Sequence, residues 1–160
     1  MNEIVFIISA PSGSGKSTLT AELRERMQHL SKATLEVESL RHKVLKAYHD
    51  KVSGRMQELI GAHADADRIL QEAAMLAERS DIQEELVRMK NHIQHFLSHI
   101  EAGGEVGKKL DFLLQEMNRE ANTLLSKTTG VAGEALRITE LGLAMKSEIE
   151  QAKEQVQNLE

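Results

Sequence analysis

Acidic, basic and histidine side chains recur at intervals of four residues in two segments of the chain. In the first segment, Glu84, Arg88 and His92 fall four residues apart, which places them on one stripe of a helix. Glu116 and Glu120 repeat this interval in the second segment. Two or three carboxylates with a histidine suit Mg²⁺ or Mn²⁺, and such an ion can activate water against a phosphodiester. These residues therefore indicate a divalent-metal site for phosphodiester hydrolysis.

The assignment of roles within this set follows from the chemistry of each side chain. Carboxylates and imidazole bind the ion or transfer protons, while arginine and lysine neutralise phosphate charge. The candidate metal ligands are Glu84, Glu116, Glu120 and His92, and the candidate catalytic residues are Glu116, Glu120, His92, Arg88, Arg119 and Lys127. A plainer interpretation stays open, because Glu and Arg four residues apart are commonly solvated ion pairs worth about 0.2–0.5 kcal/mol. His95 and His99 follow His92 on one stripe and are interpreted as surface residues.

A phosphate-binding loop near the start of the chain is the second motif that could do chemistry. Residues 10–17 read Ala-Pro-Ser-Gly-Ser-Gly-Lys-Ser. Gly13 and Gly15 let backbone N–H groups turn toward phosphate oxygens. Lys16 would reach the β- and γ-phosphates, and the Ser17 hydroxyl would join Mg²⁺. The predicted nucleotide-binding residues are Gly13, Ser14, Gly15, Lys16 and Ser17.

This segment resembles the start of guanylate kinase, in which S-x-P-S-G-x-G-K-S-T is typical. The likeness covers about residues 1–27. The sequence contains neither the further parallel strands of such a kinase nor a strand that ends in a magnesium-holding Asp. Kinase activity is not expected, because phosphoryl transfer needs the acceptor and the metal to be positioned as well as the donor. Binding of ATP or GMP by a kinase remnant stays open as an alternative function.

Helices are the elements that must position these side chains. Apolar residues recur three and four residues apart from Leu35 onward, and aromatic residues make up only 2% of the chain. Glu3–Ser9 is typical of a short buried strand, and residues 17–27 of a helix. Gly103 and Gly104 are expected to end one helix and turn the chain into the next. We predict a mainly α fold of long antiparallel helices with a short strand–P-loop–helix segment, divided into residues 1–30 and 31–160.

Composition and charge exclude several classes of protein. The absence of cysteine excludes disulfides and zinc–thiolate sites. No apolar run reaches the ~18 residues that span a bilayer, and no signal peptide is recognisable, so we expect a cytoplasmic protein without a membrane partner. The net charge of −5 argues against a uniformly basic protein that coats nucleic acid, but it permits a local basic patch. Narrow apolar seams on the helices favour a homo-oligomer.

From Glu36 to Glu160 the sequence resembles the C-terminal part of the YicC/YloC family. The residues that carry this resemblance are 79–88 (RSDIQEELVR), His92, 107–123 (GKKLDFLLQEMNREANT), Ser126-Lys127 and 154–160 (EQVQNLE). The resemblance implies an endoribonuclease that depends on a divalent metal, acts on RNA and assembles into oligomers such as hexamers. Two features depart from the family: the kinase-like fragment stands in place of its N-terminal domain, and the loop 128–135 (TTGVAGEA) differs. A fused or truncated form with reduced activity, or a helical oligomerisation scaffold without chemistry, therefore stays open.

Overall fold

A computed structural model describes residues 15–60, 66–128 and 133–157. Within these ranges the chain forms five helices and no strand, which confirms the mainly α fold. The helices are α1 (Gly15–Ile60), α2 (Ala66–Arg79), α3 (Gln83–Ala102), α4 (Gly107–Thr128) and α5 (Glu134–Gln157). The predicted strand Glu3–Ser9 lies outside the described residues. Of the helices described, none is both long enough and apolar enough to cross a membrane.

The first helix, α1, is a single element of 46 residues and about 69 Å in length at 1.5 Å per residue. The apolar pattern predicts a helix over 17–27 and a second helical pattern from residue 35, but both belong to α1. The prediction of two separate helical segments is wrong. The helix continues through both because no glycine or proline occurs between residues 17 and 53. Leu23, Met27, Leu30 and Val37 are all buried along one stripe of this helix. Residue 30, where the chain is predicted to divide, therefore falls inside α1.

Four of the helices, α1, α3, α4 and α5, pack around one core. On α5, Glu148 pairs with Arg26 and Arg137 pairs with Glu36, so α5 runs antiparallel to α1. The fourth helix, α4, packs on both α3 and α5, and α2 packs on α1. The fully buried large side chains of the core are Met27, Leu30, Leu86, Met89, Phe96, Leu110, Leu114, Met117, Leu124, Ile138, Met145 and Ile149.

The connection from α3 to α4 is a tight turn of residues 103–106. Gly103 and Gly104 have φ angles of 67° and 81°, in the left-handed region that glycine adopts without steric cost. The Gly103 N–H donates to the carbonyl of His99 at 3.2 Å and closes the last turn of α3. The two helices therefore form the antiparallel hairpin that the glycine pair predicts.

Candidate functional site

Arg88 of α3 and Glu120 of α4 make the central polar contact of the hairpin. Arg88 Nε donates to Glu120 Oε1 at 2.8 Å, and the Glu120 side chain is only 7% exposed. Arg88 Nη1 also donates to Glu84 Oε2 at 3.3 Å. The hydrogen bond with Glu120 is the main cause that raises the pKa of Arg88, so the guanidinium is held in its charged form. The structure thus brings together Glu84, Arg88 and Glu120, three of the predicted site residues.

Glu85 is a member of this site that sequence reasoning missed. Its side chain is 3% exposed, and its Oε1 accepts hydrogen bonds from Arg88 Nη2 at 3.2 Å and Lys127 Nζ at 2.9 Å. Its Oε2 is buried and has no hydrogen-bond partner among the described residues. The sequence pattern could have indicated that Glu85 is buried, because it lies three residues after Ile82 and four before Met89, at a core-facing position of α3. A carboxylate at such a position needs partners of opposite charge.

Lys127 connects the hairpin site to the start of α3. Its Nζ donates to Glu85 Oε1 and also, at 3.0 Å, to the backbone carbonyl of Asp81. The Asp81 carboxylate accepts from Arg41 Nη2 of α1 at 2.6 Å and from the Gln83 N–H at 3.1 Å. The hydrogen bond from Arg41 is the largest of the effects that lower the pKa of Asp81. The cluster is therefore tied to α1 as well as to both hairpin helices.

The remaining predicted site residues lie one helical turn farther along the hairpin. In the antiparallel register set by Arg88 and Glu120, a step of four residues forward on α3 places His92 at the level of Glu116. His92 Nε2 is buried and lacks a hydrogen-bond partner among the described residues. Glu116 is 21% exposed and pairs with Arg119 at 3.4 Å, while Arg119 is 73% exposed. Among the described residues, these three form no hydrogen bond or ion pair with the central cluster.

The predicted metal ligands do not assemble into a metal centre in this arrangement. Throughout the part of the chain that the structure describes, no three His, Cys, Asp or Glu side chains gather where they could hold an ion. Glu84 and Glu120 both accept hydrogen bonds from Arg88, so each has an oxygen directed at a cation rather than toward an ion site. The present side chains therefore do not fit a divalent ion.

Arg88 is the member of the cluster that a phosphate could reach. Arg88 is 43% exposed, and its partner Glu84 is 81% exposed, so one edge of the guanidinium is accessible to a ligand. The other N–H groups of Arg88 are held by buried Glu120 and Glu85, which fixes the orientation of the planar fork. A guanidinium in a fixed orientation binds two oxygens of a phosphate with defined geometry.

The predicted nucleotide-binding residues occupy the beginning of α1 or precede it. Gly15, Lys16 and Ser17 form its first turn. Gly13 and Ser14 lie outside the described residues. The structure therefore supplies the helix that follows the loop, and the loop itself stays a sequence-based prediction.

Comparison with known proteins gives one family. The sequence model of the family described as "Endoribonuclease YicC-like, C-terminal" matches residues 37–160. A protein of Clostridioides difficile (strain 630) named "Probable endoribonuclease YicC" is 38% identical over 151 residues, which cover 93% of this chain and 50% of that protein. A protein of the same name from Haemophilus influenzae (strain ATCC 51907 / DSM 11121 / KW20 / Rd) is 36% identical over 138 residues, 86% of this chain and 46% of that protein. The chain spans about half the length of the curated relatives it matches.

The match to the Clostridioides difficile protein also reaches farther toward the N-terminus than the sequence pattern predicts. Coverage of 93% leaves about 11 residues of the chain unmatched at both ends together, so the match starts at residue 12 or earlier. It therefore includes the first half of α1 and overlaps most of residues 1–27, whose likeness to guanylate kinase stays a prediction. The family model at 37–160 thus confirms the resemblance predicted from residue 36, and the match to this relative adds similarity ahead of it.

Proposed function

The chain belongs to the YicC-like endoribonuclease family, and on this premise we propose that its α3–α4 hairpin carries the RNA-cleaving centre of an endoribonuclease. The observation that supports this proposal is the cluster of Glu85, Arg88, Glu120 and Lys127, in which two carboxylates are almost completely buried against two cations. Burying charged groups is costly, so such a cluster is a candidate for a functional site. Because the chain spans about half of its relatives, their activity on RNA is part of the proposal.

In the proposed reaction, Arg88 binds the phosphate that is to be cleaved. The phosphate replaces Glu84, and this exchange costs little because an ion pair with an exposed carboxylate is worth only about 0–1 kcal/mol. Glu120 and Glu85 keep the guanidinium in place during the exchange. The negative charge that develops on the phosphate oxygens is then stabilised by a cation that is already oriented.

His92 is the proposed base. Its Nε2 is buried and without a hydrogen-bond partner among the described residues, one helical turn from Arg88, and it accepts the proton of an attacking water molecule once RNA binding has opened the surface above it. As the water oxygen bonds to phosphorus, the bond from phosphorus to the leaving ribose oxygen breaks, and that oxygen takes a proton from solvent. Arg119 is exposed near Glu116 and can contact a neighbouring phosphate of the RNA.

Dependence on Mg²⁺ or Mn²⁺ is a separate proposal about the same centre. The family resemblance supports it, whereas the pairing of Glu84 and Glu120 with Arg88 does not.

The test is cleavage of a labelled single-stranded RNA by the purified chain, with Mg²⁺, with Mn²⁺ and with chelator. We expect cleavage by the wild type and a loss of at least about 100-fold in His92→Gln and Arg88→Met. Glu150→Gln on the exposed surface of α5 is the matched control and is expected to cleave like the wild type. Cleavage that persists unchanged in both site variants, with their helical content intact, would contradict the proposal. Cleavage by the wild type in chelator would contradict only the metal dependence.

Nucleotide binding at the start of α1 is a second candidate function. It is favoured by one observation, namely that α1 begins at Gly15, within the predicted phosphate-binding motif 10–17. We expect ATP or GMP binding that is lost in Lys16→Ala and kept in Lys32→Ala, which alters an exposed lysine on the same helix. Calorimetry at millimolar nucleotide that detects no binding would reject this candidate.

Self-association is proposed from the apolar side chains that the fold leaves in solvent. Leu59 at the end of α1 is 78% exposed, and Leu70 and Met75 of α2 are 49% and 52% exposed. Large apolar side chains in solvent are candidates for protein–protein contacts. Light scattering is expected to show an oligomer, with six copies as the order that the family resemblance implies. A monomer at tens of micromolar chain would contradict this.

A further inference from the structure

Phe112 of α4 is an aromatic side chain that folding leaves in solvent. Its exposed fraction is 60%, whereas Phe96 is fully buried in the core. Aromatic residues make up only 2% of this chain, so a phenylalanine on the surface is unusual here. The next apolar neighbour, Leu113, is only 6% exposed. The exposed apolar surface at this point is therefore essentially one ring.

Four basic or imidazole side chains surround this ring. His95, His99, Lys108 and Lys109 line, with Phe112 and Leu113, an open cleft of about 390 Å³. This volume lies within the range of sites that bind small ligands or single groups of larger ones. We call the five residues His95, His99, Lys108, Lys109 and Phe112 the Phe112 patch.

The two lysines of the Phe112 patch carry charge that no carboxylate among the described residues neutralises. Both are exposed, and no carboxylate in the described ranges forms an ion pair with Lys108 or Lys109. They stand in the first turn of α4, which contains no acidic residue, so their charge adds to the positive end of the helix. Two acidic residues lie near in sequence. Asp111 accepts a hydrogen bond from the Gln115 side chain, and Glu105 is exposed in the turn before α4. An anion bound by the lysines would relieve this repulsion.

An aromatic ring with flanking cations is the combination that binds single-stranded RNA. Bases stack on the ring, and the cations contact the phosphates on either side. A protein partner would require a wider apolar surface than one ring offers. The net charge of −5 favours a local RNA site, because a negatively charged protein repels RNA except where cations are grouped.

The Phe112 patch lies in line with the proposed cleavage centre. Phe112, Glu116 and Glu120 follow one another at intervals of four on α4, so they share one stripe of the helix. Eight residues of helix separate Phe112 from Glu120 by about 12 Å, a distance that a few nucleotides can span. Along this stripe the side chains change from exposed to buried, since Glu116 is 21% and Glu120 only 7% exposed.

We infer that the Phe112 patch binds single-stranded RNA: a base stacks on Phe112, and Lys108 and Lys109 contact the adjacent phosphates. His95 and His99 on the facing helix supply ring N–H donors to the same nucleotides. The bound strand runs along the hairpin, so that a phosphate a few nucleotides away reaches Arg88. This inference rests on the proposed function, because it takes RNA as the substrate.

The test measures binding to a fluorescent 12-nucleotide 2′-O-methyl RNA in chelator, with gels to confirm that the strand stays intact. Phe112→Ala is expected to weaken binding by about tenfold or more. Leu136→Ala is the matched control, because it removes an apolar side chain of equal exposure, 61%, from α5. It is expected to change the affinity by less than about twofold.

The lysines are tested by the salt dependence of the same affinity. Replacing Lys108 and Lys109 by Gln removes two phosphate contacts, so the slope of log K against log salt is expected to become shallower by about 1.4. Lys32→Gln with Lys46→Gln, two exposed lysines of α1, is the control and should leave the slope unchanged.

Three outcomes separate this inference from the proposed function. Cleavage that proceeds normally while RNA binding ignores Phe112→Ala would overturn the inference and leave the function standing. Binding that depends on Phe112 in a chain that never cleaves RNA would support the inference and count against the function. A change in sedimentation of Phe112→Ala, with unchanged RNA affinity, would identify the patch as a contact between copies of the chain and overturn the inference.

Discussion

Lys127 Nζ lies 2.9 Å from Glu85 Oε1, and this contact joins the last turn of α4 to the first turn of α3. The same ammonium group donates to the Asp81 carbonyl, just before α3 begins. The opposite end of the hairpin is closed by the glycine turn at 103–104. The hairpin is therefore fixed at both ends, and the contact between Arg88 and Glu120 lies between these two fixed points.

Removal of the Glu85 charge is expected to destabilise the fold. In Glu85→Gln, Lys127 loses a buried carboxylate partner, and we expect the free energy of unfolding to fall by about 1–3 kcal/mol. Glu84→Gln changes the adjacent carboxylate, which is 81% exposed, and is expected to cost less than about 0.5 kcal/mol. Urea unfolding followed by circular dichroism measures both. Equal losses in the two variants would show that burial of Glu85 does not matter.

The ion pair between Arg41 and Asp81 is expected to make stability depend on pH in the acid range. Its hydrogen bond lowers the pKa of Asp81 in the folded chain below the ordinary value of 3.8. A carboxyl group whose pKa is lower when folded stabilises the protein fully above its unfolded pKa, and this contribution is lost as the pH falls through the folded pKa. The stability difference between the wild type and Asp81→Asn should therefore be constant near neutral pH and shrink below about pH 4. Glu150→Gln serves as the control, and a difference that stayed constant down to pH 2 would contradict the assignment.

The antiparallel hairpin of α3 and α4 could be predicted from the sequence, whereas the ion pairs between the two helices could not. Gly103 and Gly104 between two apolar seams specify an antiparallel pair, because both the turn and the buried faces are local features. The partner of Arg88 depends on the register between helices. Glu84, Glu85 and Glu120 all bind it, and spacing along one helix indicates only the first two.

The predicted metal set shows the same limitation. Intervals of four place Glu84 and His92 on one stripe of α3, and Glu116 and Glu120 on one stripe of α4. The sequence pattern does not contain the packing between the two helices. This packing sets the distances across the hairpin and brings Glu84 and Glu120 into hydrogen bonds with Arg88. The continuity of α1 could have been predicted, because the sequence contains no glycine or proline from residue 17 to residue 53.

Two phenylalanines provide a matched pair for separating stability from binding. Phe96→Ala removes a fully buried ring from the core and is expected to lower the free energy of unfolding by about 3–5 kcal/mol. Phe112→Ala removes a ring that is 60% exposed and is expected to change it by less than about 0.5 kcal/mol. Thermal and urea unfolding of the two variants measure the difference. A large loss of stability in Phe112→Ala would mean that this ring holds the fold rather than a ligand.

Two glycines should respond in opposite directions to the same substitution. Gly104 has a φ of 81°, so Gly104→Ala forces a side chain into the left-handed region and is expected to cost about 1 kcal/mol, although a Cβ atom there would meet open space. Gly54 lies inside α1, and a Cβ atom there would also contact nothing. Gly54→Ala is therefore expected to stabilise the protein by about 0.5–1 kcal/mol, because alanine loses less backbone entropy on forming a helix. Urea unfolding of both variants gives the sign directly. A gain in stability in Gly104→Ala would contradict the left-handed turn, and a loss in Gly54→Ala would contradict a regular helix through the second half of α1.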